Sequence, residues 1–71
     1  MNRDSVVSSV IASIGYDDYF ETLEIEFISG RIYAYYQFEK SMAEDFVNAI
    51  SKGRYYNRFV RGRFVSERLT A

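Results

Sequence analysis

The run "ETLEIEFISGRIYAYYQF", Glu21 to Phe38, constrains this chain more than any other. Leu23, Ile25 and Phe27 alternate with Glu24 and Glu26, the period of a strand with one buried face. Gly30 separates that strand from a second run rich in tyrosine, so the segment reads as a hairpin. Its register depends on the loop. With Ser29-Gly30 as a two-residue turn, Phe27 lies opposite Ile32, and Tyr33 and Tyr35 share the outer face with Glu24 and Glu26. With Ile28-Ser29-Gly30 as the loop, Ile25 lies opposite Tyr33 and Leu23 opposite Tyr35. The shorter turn of the first primed type needs positive φ at both positions, which disfavours serine. The longer one needs it only at the last position, where Gly30 sits. The three-residue loop is therefore expected, with Tyr33 and Tyr35 on the apolar face and Tyr36 on the other. Only the alternative register would expose a tyrosine platform on which bases stack.

Two strands are not stable alone, so further elements must complete a core. Upstream, "SSVIASIGYD" (Ser8 to Asp17) reads as a strand, and "DDYF" as a turn. Downstream the period changes. In "SMAEDFVNAIS", Ser41 and Glu44 have the spacing of a capping box, and Met42, Phe46, Ala49 and Ile50 recur at helical spacing. Gly53 suits the left-handed residue after a helix end. A helix is expected from about Met42 to Ser51. After Gly53 the pattern is helical again. Tyr55, Tyr56, Phe59 and Val60 share one side, while Arg54, Arg58 and Arg61 share the opposite one. Gly62 ends this helix, and "RFVSERLTA" is a short strand or a tail. The expectation is one α+β domain over residues 1–71. It has a small antiparallel sheet of three or four strands packed against two short helices. Leu23, Ile25, Phe27, Tyr33, Tyr35, Phe46, Ile50, Tyr56 and Val60 form its core.

A chain of 71 residues buries only roughly 60% of the surface its unfolded form exposes. It has no cysteine, hence no disulfide and no thiolate metal site. It has no histidine, the commonest general base and metal ligand. Seven tyrosines and six phenylalanines supply the core instead. Glu24 and Glu26 stand about 7 Å apart on one strand face. Paired carboxylates can perform acid–base chemistry on sugars, but alternating glutamates more often mark a solvated face. No nucleophile–base pair and no phosphate loop is visible, so neither enzyme activity nor a cofactor is expected. No segment approaches the ~20 apolar residues of a membrane span. Asp4 and the scattered serines speak against a signal peptide, which leaves a cytoplasmic location as the expectation.

Charge is distributed unevenly. From Asp17 to Asp45 eight acids face Arg31 and Lys40, a net −6; from Phe46 onward six bases face Glu67, a net +5. The densest part is "SKGRYYNRFVRGR", Ser51 to Arg63, which has no acid. Lys52, Arg54, Arg58, Arg61 and Arg63 are the candidate binding residues, together with Asn57 at the border of the apolar face. On a regular helix Arg54, Arg58 and Arg61 step along one face by about 6 and 4.5 Å. Arginine's planar fork suits phosphate and carboxylate alike. Two functional classes follow: a module docking this face on a protein partner, or an RNA- or polyanion-binding domain using the same arginines. The bland alternative is a solvated face paired with Asp17, Asp18 or Glu21, worth roughly 0–1 kcal/mol per pair. Asn57 is expected to brace a neighbouring loop, with Ser51. An open edge, at the first strand or the tail after Arg63, invites pairing with a second copy as a homodimer.

Taken together, "IGYD", "LEIEF", Gly30, the Tyr33–Tyr35 pair and "SKGRYYNRFVR" resemble the KTSC domain. That family is named for a domain at the C-terminus of some lysyl-tRNA synthetases and also occurs as small free-standing bacterial proteins. The resemblance runs from about Ser8 to Arg63. It implies no established activity; RNA binding is suggested for the family through the synthetase connection. The family usually has something like Val-Pro after the third strand, where this chain has "QFEK".

Overall fold

The computed structural model describes residues 3–6 and 8–71. Five antiparallel strands form a meander in chain order: β1 (Asp4–Ser5), β2 (Ile11–Asp17), β3 (Thr22–Phe27), β4 (Ile32–Tyr35) and β5 (Ser66–Arg68). β1 is a two-residue edge added to the four longer strands. Between β4 and β5 the chain leaves the sheet and forms α1 (Lys40–Asn48), α2 (Lys52–Tyr55) and a π turn (Tyr56–Val60). These pack on one sheet face. The fold is the α+β antiparallel arrangement that the hydrophobic periods imply.

The central hairpin has the three-residue loop. Phe27 N–H donates to the Arg31 carbonyl at 2.9 Å, and Gly30 carries the left-handed backbone, φ 94°. Leu23 therefore faces Tyr35, and Ile25 faces Tyr33. Both tyrosines turn toward the helices: Tyr35 is buried, and Tyr33 packs edge-on against Phe27 at 5.9 Å between ring centroids. No stacking platform is formed by these two residues. Tyr36 lies on the other face, where its hydroxyl donates to Glu67 Oε1 at 2.6 Å.

The core is built from Ile11, Leu23, Ile25, Phe38, Phe46 and Val60, all fully buried, with Ile14, Tyr35 and Ala43 beside them. Phe27, Tyr33 and Tyr56 are half-buried against it. Ile50, expected in the core, is instead fully exposed. The reason lies in the helix boundaries. α1 begins at Lys40 with Glu39 at its N-cap, and no side chain caps it. Ser41 is thus already inside the helix, and the expected capping box does not form. Phe38 fixes this earlier start. Its N–H donates to the Glu21 carbonyl at 2.8 Å, its carbonyl accepts from the Tyr16 hydroxyl, and its ring packs on Phe64. The "QFEK" stretch thus enters the helix through a buried aromatic anchor.

α1 also ends early, at Asn48, because Ala49 is extended. Ser51 competes for the chain as the N-cap of α2, its Oγ accepting from Arg54 N–H at 3.2 Å. Ile50 falls in the short linker between the two helices. Gly53 is consequently a helical residue rather than a left-handed terminator. A Cβ there would touch the Val10 side chain at 3.6 Å, which places α2 against the start of β2. Gly62 does end the helical segment, with φ 72°.

Glu24 and Glu26 share one face, as their alternation requires, but they are not simply solvated. Arg3 forms an ion pair with Glu24, and Ser13 Oγ donates to Glu26 at 2.9 Å.

Candidate docking groove

The site grows out of an aromatic stack that leads from the core to the surface. Phe46, fully buried on α1, stacks on Tyr55 of α2 with ring centroids 5.0 Å apart. Tyr55 meets Phe59 at 4.8 Å. Phe59 is 42% exposed, and the Arg58 guanidinium lies over its ring, 5.4 Å from the centroid. The Tyr55 hydroxyl donates to the Met42 carbonyl at 3.3 Å, and burial raises its pKa. This bond holds the middle ring of the stack in place.

A uniform α-helix would have put Phe59 beside Tyr56 and Val60 on the buried side. The π turn alters that. Arg61 N–H reaches the Tyr56 carbonyl at 2.8 Å, a five-residue bond that widens the turn. Tyr56 and Val60 both stay on the core side, and Phe59 rotates outward. Tyr56 is anchored by its hydroxyl, 3.0 Å from that of Tyr35.

The outcome is a groove of about 350 Å3 lined by Ala49, Ile50, Ser51, Arg54, Tyr55, Arg58 and Phe59. Ala49, Ile50, Tyr55 and Phe59 give it a largely apolar lining. Arg54 and Arg58, both exposed, supply its cationic side chains. A volume of this size is in the range that holds bound side chains or small ligands, about 300–1,000 Å3.

The other candidate binding residues are placed differently. Arg61 follows the last π residue, and its extended backbone (ψ 122°) takes it out of the helix. It does not continue the regular ladder of Arg54 and Arg58. Lys52 folds back so that its ammonium donates to the Ala49 carbonyl at the end of α1. Arg63 Nε donates to the Arg58 carbonyl at 3.0 Å and braces the π turn. Asn57 is exposed, and no bracing bond from its side chain is found among the described residues; Ser51 alone performs that role.

Among the described residues the ion pairs are Arg3–Glu24 and Lys40–Asp18. Arg54, Arg58 and Arg61 take part in neither, so the alternative in which the stripe pairs with Asp17, Asp18 or Glu21 is not seen among the described residues. Among the described residues no group of three or more carboxylates is arranged to hold a metal ion, and no helix is long and apolar enough to cross a membrane.

Ile50 and Phe59 are groove residues that the sequence pattern does not single out: it assigns Ile50 to the core and Phe59 to the apolar side of the second helix. The signal lies in Ser51, whose capping of α2 ends the first helix early and leaves Ile50 on the surface.

The profile of the KTSC domain matches residues 7–64 of the chain. The chain belongs to the KTSC domain family. It is similar to the lysine–tRNA ligase of Nostoc punctiforme, 44% identical over 62 residues that cover 87% of this chain and 11% of the ligase. It thus spans a small part of the ligases it matches. A protein of Tsukamurella paurometabola is 37% identical over 83% of this chain and 88% of its own length. In three dimensions the chain superposes on the crystal structure of a KTSC domain protein from Yersinia pestis with a TM-score of 0.92, at 36% identity and 97% coverage of both chains.

Proposed function

We propose that this KTSC domain is a non-catalytic docking module whose groove receives a protein segment carrying both apolar and acidic side chains. The observation that carries this reading is the mixed character of the groove. Arg54 and Arg58 do not stand on a purely polar helix face; they line the same groove as Ile50, Tyr55 and Phe59. A bare polyanion would use the arginines and leave that apolar lining wet. A segment with one or two apolar anchors and flanking carboxylates would use both, burying the anchors and pairing the guanidiniums with acids.

RNA binding is the second reading, favoured by the name of the lysine–tRNA ligases that the chain resembles and by the acid-free stretch from Ser51 to Arg63. The placement of Tyr33 and Tyr35 weighs against a stacking mode.

Titration of an acidic amphipathic peptide, and separately of single-stranded and hairpin RNA, at two salt concentrations separates the two. The docking reading expects saturable peptide binding that an Arg54/Arg58/Arg61→Ala variant weakens, and no RNA binding at low salt. An RNA grip expects the converse, with a log–log salt slope near about −2 for three single-strand phosphate contacts.

A further inference from the structure

The chain itself carries a segment of the kind the groove suits. The loop between β2 and β3 displays Tyr19 and Phe20, 87% and 71% exposed, with Asp17, Asp18 and Glu21 around them. The two rings meet edge-on at 4.8 Å. This tip is rigidly held. Asp17 Oδ1 accepts from the N–H groups of both Tyr19 and Phe20, at 2.9 and 3.1 Å, and the Glu21 carbonyl is tied to Phe38. A preformed aromatic knob sheds little conformational entropy on binding.

The knob and the α2 side of the groove lie toward opposite ends of β2. α2 abuts Val10 at the start of β2, whereas the knob follows the end of β2. Seven strand residues separate them, about 20 Å at strand rise. Their chemistry is matched: two exposed aromatic rings beside Glu21 and Asp18, the latter also paired with Lys40, at one end, and an apolar lining with two arginines that form no ion pair among the described residues at the other. Edge pairing has less to work with. β1 and β5 are two and three residues long, and β5 exposes Glu67 and Arg68, devices that blunt an edge.

We infer that the acidic–aromatic tip of one copy, Asp17 to Glu21, docks in the Ile50–Arg54–Arg58–Phe59 groove of a second copy. The inference rests on the docking reading above and names one occupant for that groove. The contact is heterologous in kind: different residues face each other. It either closes as a reciprocal pair or continues from copy to copy. It is small and charge-assisted, so it is weak and weakens further with salt.

Two folded variants test it by sedimentation at millimolar concentration. One removes the tip (Tyr19→Ser/Phe20→Ser); the other removes the groove (Ile50→Ser/Arg54→Ala/Arg58→Ala). All five side chains are exposed, so both variants keep the fold. The wild type is expected to self-associate and each variant alone to sediment as a monomer. A mixture of the two is expected to form a one-to-one pair, because each retains the half that the other lacks. A monomeric wild type, association that survives either set of changes, or no pairing in the mixture overturns the inference. An acidic amphipathic peptide that binds the monomeric wild type leaves the docking reading standing while this inference falls; failure of both the peptide and self-association removes both.

Discussion

Tyr35 shows how a hydroxyl in a small core sets a limit on pH tolerance. Its phenol is buried, and burial, followed by the bond to Tyr56, raises its pKa well above the ordinary value near 10. Burial likewise raises Tyr16 and Tyr55. The folded state therefore holds these protons more tightly than the unfolded state. Their contribution is complete below about pH 10, and stability falls as pH rises above it, because the unfolded chain ionises first. Chemical denaturation at pH 7, 9 and 11 is expected to show equal midpoints for the first two and a lower one at pH 11. Tyr35→Phe is expected to cost about 1 kcal/mol at pH 7 and to reduce the drop at pH 11. A midpoint that rises with alkali would contradict this assignment. Phe46→Ala tests a different residue-scale claim. Truncating a buried phenylalanine costs about 3–5 kcal/mol, comparable to the total such a core supplies, about 3–5 kcal/mol. That variant is expected to be largely unfolded by circular dichroism.

At the scale of elements, the three central strands are legible in the sequence, whereas β1, the choice of strand over tail for β5 and the helix ends are not. Alternation in "LEIEF" and the demands of a three-residue loop on Gly30 fixed the hairpin register, because a one-residue slip would have turned every side chain to the wrong face. Gly30→Ala is expected to cost about 1–2 kcal/mol. Open space surrounds a Cβ there, so the loss is backbone strain alone; an unchanged denaturation midpoint would contradict the loop assignment. The helices were read as two regular 3.6-residue repeats. That pattern puts Ile50 inside and Phe59 on the apolar side, and it lines up Arg54, Arg58 and Arg61. Two local events broke the period. Ser51 captured the chain as an N-cap, and the π turn from Tyr56 to Val60 added width. The first had a sequence signal in the serine itself. The second arises from tertiary packing, since Tyr56 and Val60 must both reach the core, and nothing local in "YYNRFV" announces it. Ser51→Ala is expected to lower stability by about 1 kcal/mol, read as a shift in the thermal midpoint.

At the scale of the whole molecule, no ion pair joins the arginine stripe to the acidic half among the described residues. The acidic half supplies the hairpin and its tip, the basic half supplies α2, the π turn and β5, and the guanidiniums of Arg54 and Arg58 remain available beside an apolar lining. The candidate residues Arg54 and Arg58 were legible from charge pattern alone. Lys52 and Arg63 also belong to the basic stretch, but their bonds to backbone carbonyls depend on the early end of α1 and on the π turn. The groove is not legible in the sequence, because its apolar lining includes Ile50 and Phe59, which helical periodicity turns toward the apolar side. The proposed binding surface is this apolar lining together with Arg54 and Arg58. The most direct measurement is the affinity of an acidic amphipathic peptide, followed by amide chemical shifts, for the wild type and for Ile50→Ser. Ile50 is fully exposed, so the substitution is expected to alter stability by no more than about 0.5 kcal/mol. The account predicts shifts confined to residues 47–61 in the wild type and an affinity at least several-fold weaker in Ile50→Ser. Equal affinity for both proteins, or shifts centred on the open sheet face of Glu24, Glu26 and Tyr36, would contradict it.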